Sequence, residues 1–154
     1  MEQREKQYET LYRQIAALVE SQRDETAVLA NVSAALHASD SRFSWTGFYL
    51  VRGEELLLGP FQGAPACYRI AKGRGVCGTA WEKKQTQLVP HVEEFPGHIA
   101  CSPLTRSEIV VPMADERGEV RAVMDIDSTT PEAFDQTDAR WLQRIAQLVC
   151  RQIY

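Results

Sequence analysis

The chain has no surplus of positive charge. Its 17 Lys and Arg stand against 21 Asp and Glu, a net charge of −4, which leaves no basic footprint for gripping nucleic-acid phosphates. It has no apolar run near the roughly 18–20 residues that a membrane-spanning helix needs. The first residues, Met-Glu-Gln-Arg-Glu-Lys, are charged and open no apolar segment of the signal-peptide kind, so a cytoplasmic location is expected. Internal repeats, low-complexity tracts and interdomain linkers are absent, and so is any Cys-x-x-Cys pair. Gly73-x-Gly75 lacks the third glycine and the βαβ setting of a dinucleotide fingerprint. What is present fits one globular domain over residues 1–154, with 44% hydrophobic and 25% charged residues.

Helical spacing marks both ends. Tyr8, Leu11, Tyr12, Ile15, Leu18 and Val19 recur with a helical period over residues 5–20. Asp24 is placed to cap a second helix, with Val28, Leu29, Val32 and Leu36 as its apolar stripe. A closing helix starts near Asp135 or Thr137 and carries Trp141, Leu142, Ile145, Val149 and Ile153. Between them the chain reads as strands. Residues 43–51 are aromatic and β-branched, Arg52 to Glu55 form a turn, and a second strand opens at Leu56. A third strand fits 66–70. A short helix is expected from near Cys77 to Lys84, further strands over 87–89, 109–113 and 120–127, and a loop over 91–105. This order describes an α+β domain.

Three cysteines, Cys67, Cys77 and Cys101, sit within one 35-residue stretch, and Cys150 stands apart. In a reducing cytosol, clustered cysteines more often mean catalysis or metal than permanent crosslinks. Cys101 lies in the long loop between His98 and Arg106, where access is good and nearby cations favour a thiolate. Cys77 follows Gly-Arg-Gly-Val, and a helix N-terminus there would also favour a thiolate. Cys67 opens the third strand. Sequence separation does not say which of them meet. Each alone also reads as a small buried hydrophobe, the preferred reading for Cys150. Zinc on Cys67, Cys77, Cys101, His91 and His98 is the metal alternative, weakened by irregular spacing.

Asp125 and Asp127 are two apart on a strand and so share a face, with Met124 and Ile126 on the other. Glu108 opens the neighbouring strand. The three carboxylates therefore either converge on a pocket or decorate a solvated sheet face. In a pocket they suit a ligand ammonium, and crowding raises one pKa enough to make it an acid. Trp45, placed on a strand face with Phe43 and Gly47, is either core or a rigid wall for a small apolar group.

Six segments carry a resemblance: Trp-x-Gly-Phe-Tyr-Leu (45–50), Leu-Gly-Pro-Phe-Gln-Gly (58–63), Gly-Arg-Gly-Val-Cys-Gly-Thr-Ala (73–80), Phe-Pro-Gly-His-Ile-Ala-Cys (95–101), Ser-Glu-Ile-Val-Val-Pro (107–112) and Asp-Ile-Asp-Ser (125–128). In this order they resemble the free methionine-(R)-sulfoxide reductases, small GAF-domain enzymes. The resemblance implies a single GAF domain, with a central antiparallel sheet of about six strands and the N- and C-terminal helices on one face. It implies thiol-dependent reduction of free L-methionine-(R)-sulfoxide to L-methionine. Cys101 then matches the nucleophile, Cys67 the resolving cysteine that closes a disulfide on it, and Cys77 an auxiliary thiol. Trp45 matches an aromatic wall around the substrate methyl group, with Tyr49 in the same substrate set. Glu108, Asp125 and Asp127 match the carboxylates that hold the polar parts of the substrate. Ser102 departs from the family, which usually has Asp there.

In this reading Cys101 attacks sulfur, Asp127 or Glu108 protonates the oxygen, and Cys101 becomes a sulfenic acid that Cys67 resolves. Thioredoxin or a similar dithiol resets the pair, and no metal or organic cofactor is called for. The rival is a GAF module that senses a small ligand through Trp45 and the carboxylates. The lack of an attached output domain favours the enzyme. Whether two copies pair as a homodimer stays open.

Overall fold

The computed structural model describes residues 2–99 and 101–154. The elements run α1 (Glu2–Val19), α2 (Glu25–Ser39), β1 (Trp45–Arg52), β2 (Glu55–Gln62), β3 (Arg69–Ala71), α3 (Gly75–Lys83), β4 (Gln87–Val89), a 3-10 turn over Val92–Glu94, β5 (Ser107–Ala114), β6 (Val120–Ser128) and α4 (Gln136–Ile153). The six strands form one antiparallel sheet in the order β3-β2-β1-β6-β5-β4.

The helices begin where short polar side chains can satisfy their free N–H groups. Asp24 accepts from the Ala27 N–H at 3.0 Å, and Asp135 and Asp138 close a reciprocal capping box on α4. Such caps contribute about 1 kcal/mol each. One face of α1 buries Tyr8, Leu11, Ile15 and Val19. Leu18, expected in the core, lies off that stripe and is 41% exposed.

Strand alternation divides the sheet into two unlike faces. Phe48, Leu50, Ile109, Val111, Met124 and Ile126 point to one side, into the core shared with α1, α2 and α4. Tyr49, Val110 and Val123 point to the other side, where α3 brings Val76, Ala80 and Trp81. The N- and C-terminal helices thus cover one face, as the resemblance implied. The opposite face is only partly roofed, by α3 and loops.

Three local expectations change. β3 starts at Arg69, so Cys67 lies in the irregular segment before that strand rather than opening it. Phe43 precedes β1 and packs beside Phe134, with ring centroids 6.0 Å apart, in the helix-side core. It therefore does not share a face with Trp45. Helix α3 starts at Gly75, which sets Cys77 inside its first turn and buries it.

Candidate active site

Register across the three central strands assembles the site. Trp45 pairs with Asp127, and Asp127 pairs with Glu108. One step along, Gly47 pairs with Asp125, and Asp125 pairs with Val110. A single row therefore runs aromatic, carboxyl, carboxyl across β1, β6 and β5, with Asp125 in the next row on the same face. Gly47 makes room for this arrangement. A Cβ on it would lie 2.7 Å from the Trp45 ring and 2.3 Å from the Phe61 Cβ, so any side chain would displace the indole.

The aromatic residues of β1 also hold the segment that carries Cys67. The Trp45 indole N–H donates to the Ala64 carbonyl at 2.9 Å, and the Tyr49 hydroxyl donates to the Cys67 carbonyl at 2.9 Å. From the other side, the loop after β4 brings in Cys101. The two cysteines form a disulfide, with Cα atoms 5.6 Å apart across a separation of 34 residues. Ile99, in the same loop, rests on Gly75 at the start of α3. A Cβ there would meet the Ile99 side chain at 3.0 Å, and φ is +63°.

These elements enclose a cavity of about 150 Å³, with Trp45, Tyr49, Glu108, Asp125 and Asp127 among its walls and Cys101 at its edge. A cavity of this class holds one small organic molecule. Glu108 and Asp125 are buried and Asp127 is half-buried, so the carboxylates do not form a wetted sheet face. Burial raises the pKa of each well above the usual carboxyl value, and the like charge of a neighbour adds to it: Asp127 for Glu108, Glu108 for Asp125, and Asp125 for Asp127. These carboxyls therefore hold their protons more readily than ordinary surface carboxyls do. One oxygen of Asp125 and one of Asp127 are buried with no hydrogen-bond partner within the protein.

Cys77 is also at this cluster. Its Sγ and one oxygen each of Glu108 and Asp125 lie within 4.8 Å of one another, a trio able to hold a metal ion. Its thiol pKa is pushed well up by burial, then by Asp125 and Glu108. The thiolate expected from a helix N-terminus is overridden, because desolvation and two carboxyls outweigh the dipole. His98 departs from expectation too. Its Nε2 lies 3.6 Å from Glu108 Oε1, but burial lowers its pKa, so at neutral pH it is a neutral wall of the pocket rather than a cation beside Cys101. His91 does not line this cavity. It faces Glu132 at 3.2 Å, so the five-residue zinc set is not brought together. Cys150 is buried in the helix-side core, as its position on α4 implied.

Residues 22–150 match the family model of the GAF domain. GAF domain-containing protein A of Dictyostelium discoideum is 51% identical, over 95% of this chain and 92% of its own length. The free methionine-R-sulfoxide reductase of Escherichia coli is 44% identical, over 92% of this chain and 86% of its own. The chain belongs to the GAF-domain family, among the free methionine-R-sulfoxide reductases. The free methionine-R-sulfoxide reductase of Neisseria meningitidis, solved in complex with its substrate, superposes on this GAF domain with a TM-score of 0.91 at 46% identity. The match covers 94% of this chain and 87% of the other.

Sequence reasoning missed several walls of the pocket in this GAF domain. Ser44, Ile70 and Thr129 line it, and nothing in their local pattern marks them. The Ala64–Ala66 segment is held by the Trp45 indole, a contact visible only once β1 and β2 pair. The side of His98 that meets Glu108 is equally a product of the loop's path.

Proposed function

We propose that this GAF-domain protein reduces free L-methionine-(R)-sulfoxide to L-methionine with its own thiols. The observation that carries the reading is the Cys67–Cys101 disulfide beside a pocket lined by Cys101 and three clustered carboxyls. In the reduced enzyme the Cys101 thiolate attacks the sulfoxide sulfur. The Glu108–Asp127 pair supplies the proton that the oxygen needs as the S–O bond weakens. The oxygen ends on Cys101 as a sulfenic acid and the thioether leaves. The Cys67 thiol then attacks the Cys101 sulfur, water departs, and the disulfide forms. Trp45 and Tyr49 give the methyl-bearing end an apolar wall. Asp125 pairs as a carboxylate with the substrate ammonium, releasing to solvent any proton it held, because the nearby cation favours its charged form. A peptide-bound methionine lacks that ammonium, which accounts for a free amino acid as substrate. Cys77 is an auxiliary thiol that keeps its proton beside the carboxyls.

Thioredoxin or a similar dithiol then returns the pair to thiols, a cycle suited to the reducing cytoplasm. The decisive measurement is consumption of the two sulfoxide epimers in a thioredoxin-coupled assay. The (R) epimer alone should disappear, and Cys101→Ser should abolish its loss. Cys67→Ser should give one turnover and then stop. Full recycling by Cys101→Ser, or tight binding of the sulfoxide without its consumption, would return the domain to passive ligand capture.

A further inference from the structure

Two groups among the described residues bring three potential metal ligands within 4.8 Å of one another. The first, His91, Glu93 and Glu94, lies at the surface with both carboxylates exposed. Solvated acidic groups of that kind need no ion. The second, Cys77, Glu108 and Asp125, is only 4%, 6% and 5% exposed, residue by residue. Its three members all line the cavity of about 150 Å³. They come from the first turn of α3 and from the paired strands β5 and β6, so regular elements rather than a loop hold them together.

A second observation singles this group out. Asp125 Oδ1 is buried with no hydrogen-bond partner within the protein, although buried polar atoms are nearly always paired. Among the described residues, the one ion-pair partner of Glu108 or Asp125 is His98, 3.6 Å from Glu108 Oε1. An unmet acceptor beside a second carboxyl and a thiol suits a cation. The donor set then selects the ion. Mg²⁺ and Ca²⁺ are hard cations that take oxygen ligands, so a sulfur donor disfavours them. One thiolate and two carboxylates are donors that Zn²⁺ accepts, and zinc held by three protein ligands keeps a fourth position open. Here that position faces the cavity. Of the cysteine–histidine set weighed from the sequence, this group keeps only Cys77.

We propose that Cys77, Glu108 and Asp125 form a Zn²⁺ site that inhibits the enzyme rather than serving its chemistry. As the ion binds, the Cys77 thiol and any protonated carboxyl give their protons to solvent. The ion then occupies Glu108 and Asp125. On the reductase reading above, those two residues supply the proton to the sulfoxide oxygen and hold the substrate ammonium. Zn²⁺ and substrate therefore exclude one another. Only this exclusion rests on that reading, because the site itself needs no more than the three side chains.

The test uses the oxidised protein, in which Cys67 and Cys101 are joined and only Cys77 and Cys150 remain as thiols. Cys150 is in the helix-side core, on the far side of the sheet from the carboxyls. Cd²⁺ is the probe, because its thiolate complex shows an ultraviolet charge-transfer band that the sulfur-free His91 group cannot give. One equivalent of Cd²⁺ should develop the band, and excess Zn²⁺ should erase it. Cys77→Ala should remove the band and Cys150→Ala should keep it, with circular dichroism showing that both fold. Glu108→Gln, which leaves the thiol in place, should weaken Zn²⁺ binding by about 100-fold, the upper end of what even an outer-shell change costs. The site is overturned by no band at high Cd²⁺, by a band that survives Cys77→Ala or is lost in Cys150→Ala, by a band that Zn²⁺ leaves intact, or by unchanged Zn²⁺ affinity in Glu108→Gln. The exclusion is tested in a double variant, Cys67→Ser with Cys101→Ser, which lacks the thiols that would consume the sulfoxide. L-methionine-(R)-sulfoxide should raise the apparent Kd of this variant for Cd²⁺. An unaltered Kd at high sulfoxide overturns the exclusion and the role given to Asp125, and leaves the metal site standing.

Discussion

Asp138, in the first turn of α4, and Asp125, on β6, are both buried carboxyls, and their surroundings follow opposite rules. Asp138 has its charge answered. Arg42 donates to it at 2.9 Å, the Tyr8 hydroxyl donates to the same oxygen, and the Asp135 backbone N–H reaches the other oxygen at 2.9 Å. Burial works to raise its pKa, but Arg42, Tyr8 and that N–H overcome it and hold the pKa below the usual value. Asp125 shares its site with Glu108 and Asp127, and among the described residues none of the three pairs with Lys or Arg. Their pKa values are raised, and two of their oxygens have no partner. The first cluster stabilises the fold by joining α1, the segment before β1, and α4. The second places three carboxyls together with no cation beside them, an arrangement that costs stability and is characteristic of functional sites.

That contrast can be broken most sharply at the carboxyl row of the pocket, on the proposed mechanism. Glu108→Gln and Asp127→Asn should each lower sulfoxide turnover by about 10²–10⁴-fold, the usual worth of a positioned acid, with no loss of thermal stability. Unfolding at lower temperature with turnover intact would make this cluster structural after all. At the other cluster Arg42→Met should cost about 3 kcal/mol of unfolding free energy, because it strands a buried charge. Urea denaturation measures this, and turnover of the folded fraction should be unchanged.

The pH dependence should separate the clusters by sign. The carboxyls at the pocket have raised pKa values in the folded state. Their contribution is fully present below the unfolded-state carboxyl pKa and is lost as pH rises through the raised values. Asp138 is depressed, so its contribution is present above the unfolded-state value and is lost as pH falls through the depressed one. Ligand-free protein should therefore lose stability on both sides of a mildly acidic optimum. Replacing Glu108, Asp125 and Asp127 with their amides should flatten only the rising-pH side in urea melts. An unaltered rising-pH side would show that these groups do not titrate abnormally. The smallest effect is expected from Tyr8→Phe, about 1 kcal/mol for one hydrogen bond to a carboxylate that keeps its Arg. It should leave the pH profile of turnover unmoved.

Much of the architecture was legible along the chain because it depends on short-range pattern. The apolar spacing of α1, α2 and α4 and the cap at Asp24 lie where periodicity places them. The i, i+2 relation of Asp125 and Asp127 forces a shared face whatever the strand packs against. Legibility failed where an answer depended on what lay across space. Phe43 and Trp45 are two apart, but the chain enters β1 only at Trp45, so alternation does not extend back to Phe43. Cys77 has the local signature of an activated thiol, yet the carboxyls of β5 and β6 lie beside it and reverse the sign. His98 reads as a cation beside Cys101 until burial makes it neutral. The resemblance named the Cys67–Cys101 pair, but spacing alone could not.

By itself, then, the sequence settled the class of domain, the alternation of the strands and the residue types available for chemistry, because these follow from neighbours a few positions apart. Only the tertiary structure decided which carboxyls lie together, which histidine is buried beside them and which sulfur lines the pocket. Those properties depend on the charges and solvent within a few ångströms of each group, and strand pairing brings in those neighbours from distant parts of the chain.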